Sequence, residues 1–209
     1  VTSQKGLAFI PDAVSVVPHG VDVDFFERTQ AKLDTPWQKY SMAIGIVGRV
    51  RPEKGNDLFS AAICRVLADD PNSCAVIVGK TTTKYESFLD KLKKEWQESG
   101  ISDRVFLLDE IALEQMPSVY ATLDIVCAPA RYEGYGLVPL EAMVSGTDIV
   151  ASDTGAYADM IEEGKNGHII PCGDVDALHS TLANLLADKS LIESYKNFSL
   201  FFILKISKM

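Results

Sequence analysis

A chain of 209 residues with 47% hydrophobic and 23% charged residues has an ordinary globular composition and enough length for one sizeable core. Its formal net charge of -9 argues against a nucleic-acid groove or an anionic membrane as the main partner, so any phosphate recognition must be local. The four cysteines, Cys64, Cys74, Cys127 and Cys172, form no CxxC pair, which points away from a metal or redox site, and three of them sit in or beside apolar runs, as buried thiols in a reducing compartment would.

No apolar run reaches about 18 residues, so no spanning segment is expected, and no signal peptide is legible. The opening on Val1 reads as an excerpt or a processed product. Along residues 1–40, VSVVP (14–18) reads as a short strand, PHGVD (18–22) as a turn and FFERTQAKLDTPW (25–37) as a linker. From there the pattern becomes rhythmic. Strand-like runs are predicted at 42–50, 74–80, 104–110, 124–130, 148–153 and 167–171, with helices at 56–68, 84–98, 113–121, 137–145 and 174–188. Strands alternating with helices of this length predict an α/β domain over 41–190, with a doubly wound parallel sheet of about six strands covered on both faces. The tail 191–209 is atypical of such a domain.

In an open α/β sheet, ligands bind beyond the carboxyl ends of the strands. Two segments at those ends have unusual chemistry. GRVRPEKGND (48–57) delivers Arg49, Arg51 and Lys54 into a loop, after which Asn56 is suited to cap a helix starting at Asp57. Cations beside glycines and a helix start suit a diphosphate, Arg as a bidentate donor and Lys as a mobile point charge. Taken alone, the loop is equally a solvated charged surface. RYEGYGLVPLEAM (131–143) places Glu133 and Glu141 around Gly134 and Gly136, with Pro139 in the first helical turn. The glycine amides at a helix start favour an anion, and each carboxylate can accept from neighbouring sugar hydroxyls. Either acid alone reads as surface or first-turn charge; both together, flanking two glycines, point to a ligand.

Other motifs carry less. GIVGRV lacks the third glycine of a dinucleotide fingerprint, and no convincing ribose acid follows about 20 residues later. Asp22-Val-Asp24 and Asp174-Val-Asp176 have metal-binding spacing, but the first lies in the expected linker and the second opens a helix. His19, His168 and His179 lack triad partners, and His168 reads as structural.

Glu133 and Glu141 with seven residues between them, followed by Ala-Met and SGTDIVASDTGA (145–156), resemble the retaining glycosyltransferases of family 4, which have a GT-B fold of two Rossmann-like domains. GRVRPEKG (48–55) and NGHIIPCGD (166–174) extend the resemblance, which runs from PHGVD, similar to that family's interdomain linker, to NLLADKSL (184–191). GRVRPEKGNDLF (48–59) looks most like the bacterial lipopolysaccharide-core mannosyltransferases that use GDP-mannose. The resemblance implies roles at matching positions. Arg49 and Lys54 grip the donor diphosphate, and Glu133 holds donor-sugar hydroxyls; these three form the catalytic set. The backbone of Gly134, Tyr135, Gly136, Leu137 and Val138 runs beside sugar and phosphate. Glu141 binds the ribose, Gly48 admits the donor, and the base lies near Gly79 and Phe106 to Asp109. Three positions depart from the pattern: Leu108 and Ala156 stand where the family has glycine, and Asp148 where it has proline. The first bears on base recognition, the others on packing.

The resemblance further implies retaining transfer by front-face attack, with the donor phosphate assisting as base, and no metal or other cofactor. The partners implied are a nucleotide-sugar donor, a glycan or lipid-linked glycan acceptor such as the lipopolysaccharide core, and an N-terminal domain of which residues 1–40 supply the end and the linker. The location implied is cytoplasmic, peripheral at the inner face of the bacterial cytoplasmic membrane. NFSLFFILKISKM (197–209) departs from the family after Leu200, as a truncated or frame-shifted end would; a membrane-surface peptide is the rival. The alternative in another class is a non-catalytic nucleotide-binding or scaffolding module of the same fold.

Overall fold

The computed structural model describes residues 19–28 and 33–192; the expected strand at 14–18 and the segment 193–209 lie outside them. Six strands form one sheet: β1 (Met42–Val47), β2 (Ser73–Val78), β3 (Val105–Leu108), β4 (Ile125–Ala128), β5 (Asp148–Ser152) and β6 (His168–Ile170). They lie in the order β3-β2-β1-β4-β5-β6, and every pairing is parallel. The apolar runs become strands because both faces are covered, so MAIGIV and SCAVIV are buried almost continuously.

Seven helices are described: α1 (Val23–Arg28), α2 (Asn56–Asp69), α3 (Glu86–Glu98), α4 (Met116–Tyr120), α5 (Val138–Val144), α6 (Tyr157–Met160) and α7 (Val175–Ala187). Strand side chains alternate between two cores. On one face Ile44, Ile46 and Ile77 pack with Phe59, Trp96 and Leu182 of α2, α3 and α7. On the other, Ala43, Val76 and Val126 pack with Phe26, Tyr120 and Met143 of α1, α4 and α5.

The strand order reverses between β1 and β4, which opens a crevice at their carboxyl ends, and the two unusual loops leave the sheet there. Several boundaries differ from those predicted. The described parts of the expected linker, residues 25–28 and 33–37, are more than a connection: Asp22 accepts from the Phe25 amide at 3.0 Å and starts α1, while Phe26 and Trp37 are buried. Asp174 likewise caps α7 by accepting from the Ala177 amide at 2.8 Å. The first acid of each DxD pair is therefore engaged as a helix cap. The predicted helix at 113–121 divides into a 3₁₀ turn, Leu113–Gln115, and α4, with Pro117 in the first turn of α4.

Candidate functional site

The first site loop begins where β1 gives way to Gly48, at φ 127. It closes through a 3₁₀ turn, Pro52–Lys54, ended by Gly55 at φ 74. Gly55 is required by proximity as well as by φ: a Cβ there would stand 2.0 Å from the Pro129 carbonyl oxygen. Asn56 is not the helix cap that the sequence implied. It is the first residue of α2, fully buried, and its Oδ1 accepts from the Arg51 amide at 2.9 Å, bracing the loop from beneath.

The second loop, after β4, is fastened to the first by Arg131. Its guanidinium donates to both oxygens of Asp57 at 2.7 Å and to the Pro52 carbonyl at 2.8 Å, while its amide reaches the Glu53 carbonyl at 3.0 Å. This forked geometry is the most directional of ion pairs. Sequence reasoning missed it because Asp57 lies 74 positions away.

Glu133 sits where the two loops meet. Lys54 Nζ pairs with its Oε2, with the two side chains 21% and 16% exposed. The Gly134 amide donates to Oε1 at 3.0 Å, and the Tyr157 hydroxyl stands 3.4 Å from Oε2. Gly136, at φ 73, leaves no room for a side chain: a Cβ would lie 2.6 Å from Tyr157 Cε1 and 2.7 Å from Glu133 Cγ. Glu141, in the first turn of α5, accepts from the Tyr120 hydroxyl at 2.7 Å. Burial pushes the Glu141 carboxyl above its usual range, and the Tyr120 hydrogen bond opposes the shift. Burial also drives the Tyr157 phenol up, and Glu133 and then Glu141 add to it, so both carboxylates act on one hydroxyl.

Beyond β1 and β2 lies an open cleft of about 470 Å³, lined by Gly48, Arg49, Gly79, Lys80, Glu110 and Ile111 among others. The backbones meet closely there: a Cβ on Gly79, at φ 142, would fall 2.2 Å from the Gly48 carbonyl oxygen. Lys80 pairs with Glu110 at 3.0 Å, whereas Arg49 is exposed and has no ion pair among the described residues. The structure thus gathers Gly48, Arg49 and Gly79 in one cleft and joins Lys54 to Glu133. Glu141 follows on the helix that the Gly134–Val138 loop opens. Of the loop side chains, Tyr135 turns away: its hydroxyl donates to the His19 carbonyl at 2.8 Å and its ring meets that of His19 at 5.0 Å. Leu137 is exposed and Val138 half-buried. His168 is held at 3.1 Å by Glu163, as a structural histidine would be. Among the described residues, no cluster of three or more His, Cys, Asp or Glu side chains could hold a metal ion.

Six parallel strands with helices on both faces and glycine loops at the switch point define a Rossmann-like half of a GT-B fold. The chain belongs to the glycosyl transferases group 1 family, whose model matches residues 28–199. It is 37% identical over 193 residues to the lipopolysaccharide core biosynthesis mannosyltransferase LpcC of Rhizobium leguminosarum bv. viciae, a match covering 91% of this chain and 54% of that one. It is 32% identical over 194 residues to the corresponding enzyme LpsB of Rhizobium meliloti, covering 90% and 55%. The chain therefore spans about half the length of these relatives. Among solved structures, the C-terminal domain of the group 1 glycosyl transferase LpcC from Francisella tularensis superimposes with a TM-score of 0.79 at 26% identity, covering 89% of this chain and 97% of that domain.

Proposed function

We propose that this chain is the donor-binding half of a retaining family-4 glycosyltransferase, moving mannose from GDP-mannose to a lipopolysaccharide-core or related glycan. One observation carries the site: the Lys54–Glu133 ion pair, which sets the expected diphosphate cation directly against the expected sugar-holding carboxylate. In an occupied site the pair parts. Lys54 and the exposed Arg49 turn to the diphosphate, and Glu133 accepts from the sugar hydroxyls. The Gly134–Val138 backbone lies alongside at the start of α5, and Glu141 accepts from the ribose.

The base end supports guanine. Glu110 lines the cleft, and a carboxylate matches the adjacent N1–H and N2–H donors of guanine better than the single N3–H of uracil. The names of the two Rhizobium relatives support mannose and the lipopolysaccharide core. The role is cytoplasmic, peripheral at the inner membrane face, and independent of divalent metal.

Calorimetric titration of the chain with GDP-mannose, GDP and UDP-glucose tests this function. GDP-mannose should bind tightest, with or without a chelator. Binding of no sugar nucleotide would leave the scaffolding alternative. The isolated chain should bind donor yet transfer poorly, because transfer also needs an oriented acceptor, which can supply roughly 7 to 11 kcal/mol of a barrier. Efficient transfer by this chain without a partner domain would refute the division of labour.

A further inference from the structure

We propose that Tyr120 is a positioning residue for the donor ribose, acting through Glu141. The inference rests on the donor-site function proposed above and assigns that site a residue beyond the two loops. Tyr120 ends α4 on the opposite side of the sheet from α2, with no exposed surface. Its backbone and ring are both fixed. The Tyr120 carbonyl accepts from the Thr147 hydroxyl and from the Leu123 amide, each at 2.9 Å, and its ring packs on Phe26 of α1 at 6.0 Å. The hydroxyl therefore has little freedom, and it donates to Glu141 Oε2 at 2.7 Å, near the optimum for an O–H···O bond.

Two consequences follow for Glu141. One carboxylate oxygen is held from below, which fixes the side-chain rotamer and leaves the other oxygen for the adjacent hydroxyls of a ribose. The same bond stabilises the ionised carboxylate, the form that accepts from a diol, against the burial that opposes it. Tyr157 does not do the same for Glu133. At 3.4 Å its hydroxyl is too far for a strong bond, and Lys54 holds that carboxylate instead. The plainer account makes Tyr120 a core aromatic whose hydroxyl found a convenient acceptor. That account predicts a loss of stability without any dependence on which ligand is bound.

The test is Tyr120→Phe in the whole chain, titrated with GDP and with 2′,3′-dideoxy-GDP over a series of pH values. The expected result is about a fivefold to tenfold weaker affinity for GDP. Dideoxy-GDP affinity should be unchanged, and the acid limb of GDP binding should move to higher pH, because Glu141 loses the bond that keeps it ionised. 3-Fluorotyrosine at position 120, a stronger donor of nearly the same shape, covers the case in which Tyr120→Phe does not fold; it should move the acid limb to lower pH. Equal weakening of both ligands, unchanged GDP affinity, or an acid limb that ignores the fluorinated residue would each overturn the role of Tyr120 while leaving the donor site standing. Failure of the wild-type chain to bind GDP or UDP would overturn the donor site itself, and this inference with it.

Discussion

Replacing Glu133 by Gln should drive the two classes of ligand in opposite directions. From sequence alone, loss of this carboxylate should matter only when a sugar is attached. The ion pair changes that expectation, because Lys54 spends the empty state bound to Glu133. With side chains 21% and 16% exposed, the pair is more sheltered than a surface bridge, so the upper end of the surface range, about 1 kcal/mol, is a fair measure of what a bare diphosphate must overcome to claim Lys54. Glu133→Gln removes that competition and also removes a negative charge beside two phosphates. Bare GDP should then bind about fivefold tighter. GDP-mannose should bind more weakly, because hydrogen bonds from sugar hydroxyls to a charged acceptor are worth about 1.5 to 3 kcal/mol and an amide recovers only part of that. The Gly134 amide bond to Oε1 can persist to the Gln oxygen, so the loop should keep its shape. Isothermal titration of both ligands against both proteins reads the crossover directly. If Glu133→Gln weakens bare GDP, the ion pair does not hold Lys54 back and the reasoning fails.

Three further outcomes follow from the geometry. Lys54→Ala should weaken GDP by roughly tenfold, whereas Lys94→Ala, whose side chain on α3 is 74% exposed and paired to Glu98, should leave binding unchanged; equal effects in a binding titration would count against the site. Glu141→Gln should stabilise the protein at neutral pH. Burial raises the folded-state pKa of Glu141, so the stability this group contributes is full below the ordinary carboxylate range and is lost as pH rises through the raised value. The gain in melting temperature over wild type should therefore fade on acidification, and a pH-independent gain would contradict it. Gly155→Ala should cost about 1 to 3 kcal/mol and disturb sugar binding, since Gly155 has φ 55 and a Cβ would meet the Glu133 carbonyl oxygen at 2.4 Å. Gly164→Ala, at φ 71 with open space around it, carries only the backbone strain; identical thermal shifts for the two would show that the Glu133 contact is unimportant.

Much of the sheet was legible because its strands are continuous apolar runs, which only a sheet covered on both faces demands. The neighbourhood of the site followed from the carboxyl ends of those strands, whereas the strand order, and with it the switch point, came only with the structure. What escaped had other causes. α1 was hidden because a six-residue helix has too few turns to display a period, although Asp22 in PHGVD was a legible cap signal. α6 is four residues long and leaves no pattern at all. Asn56 looked like a cap from its place in the sequence, and only the αL conformation of Gly55 shows the helix beginning one residue earlier with Asn56 turned inward. Arg131, which braces the first loop, and Tyr120, which holds Glu141, could not be assigned from spacing because each acts on a partner from a different loop or helix. Arg131 stood inside the quoted motif, yet nothing in RYEG says that its partner is Asp57.

The Arg131 clamp ties the two loops of the candidate site together across 74 positions of sequence. It locks the loop after β1 to the loop after β4, so Lys54 and Glu133 are carried on one braced unit. The ends of β2 and β3, with Gly79, Lys80 and Glu110, are held to each other by the Gly79 amide on the Leu108 carbonyl and by Lys80 on Glu110, and to the first loop by the Val50 amide on the Lys80 carbonyl at 3.2 Å. A change within residues 79–111 that shifts Lys80 is therefore transmitted to the loop after β1, so under the function proposed above base recognition and the diphosphate grip are mechanically coupled.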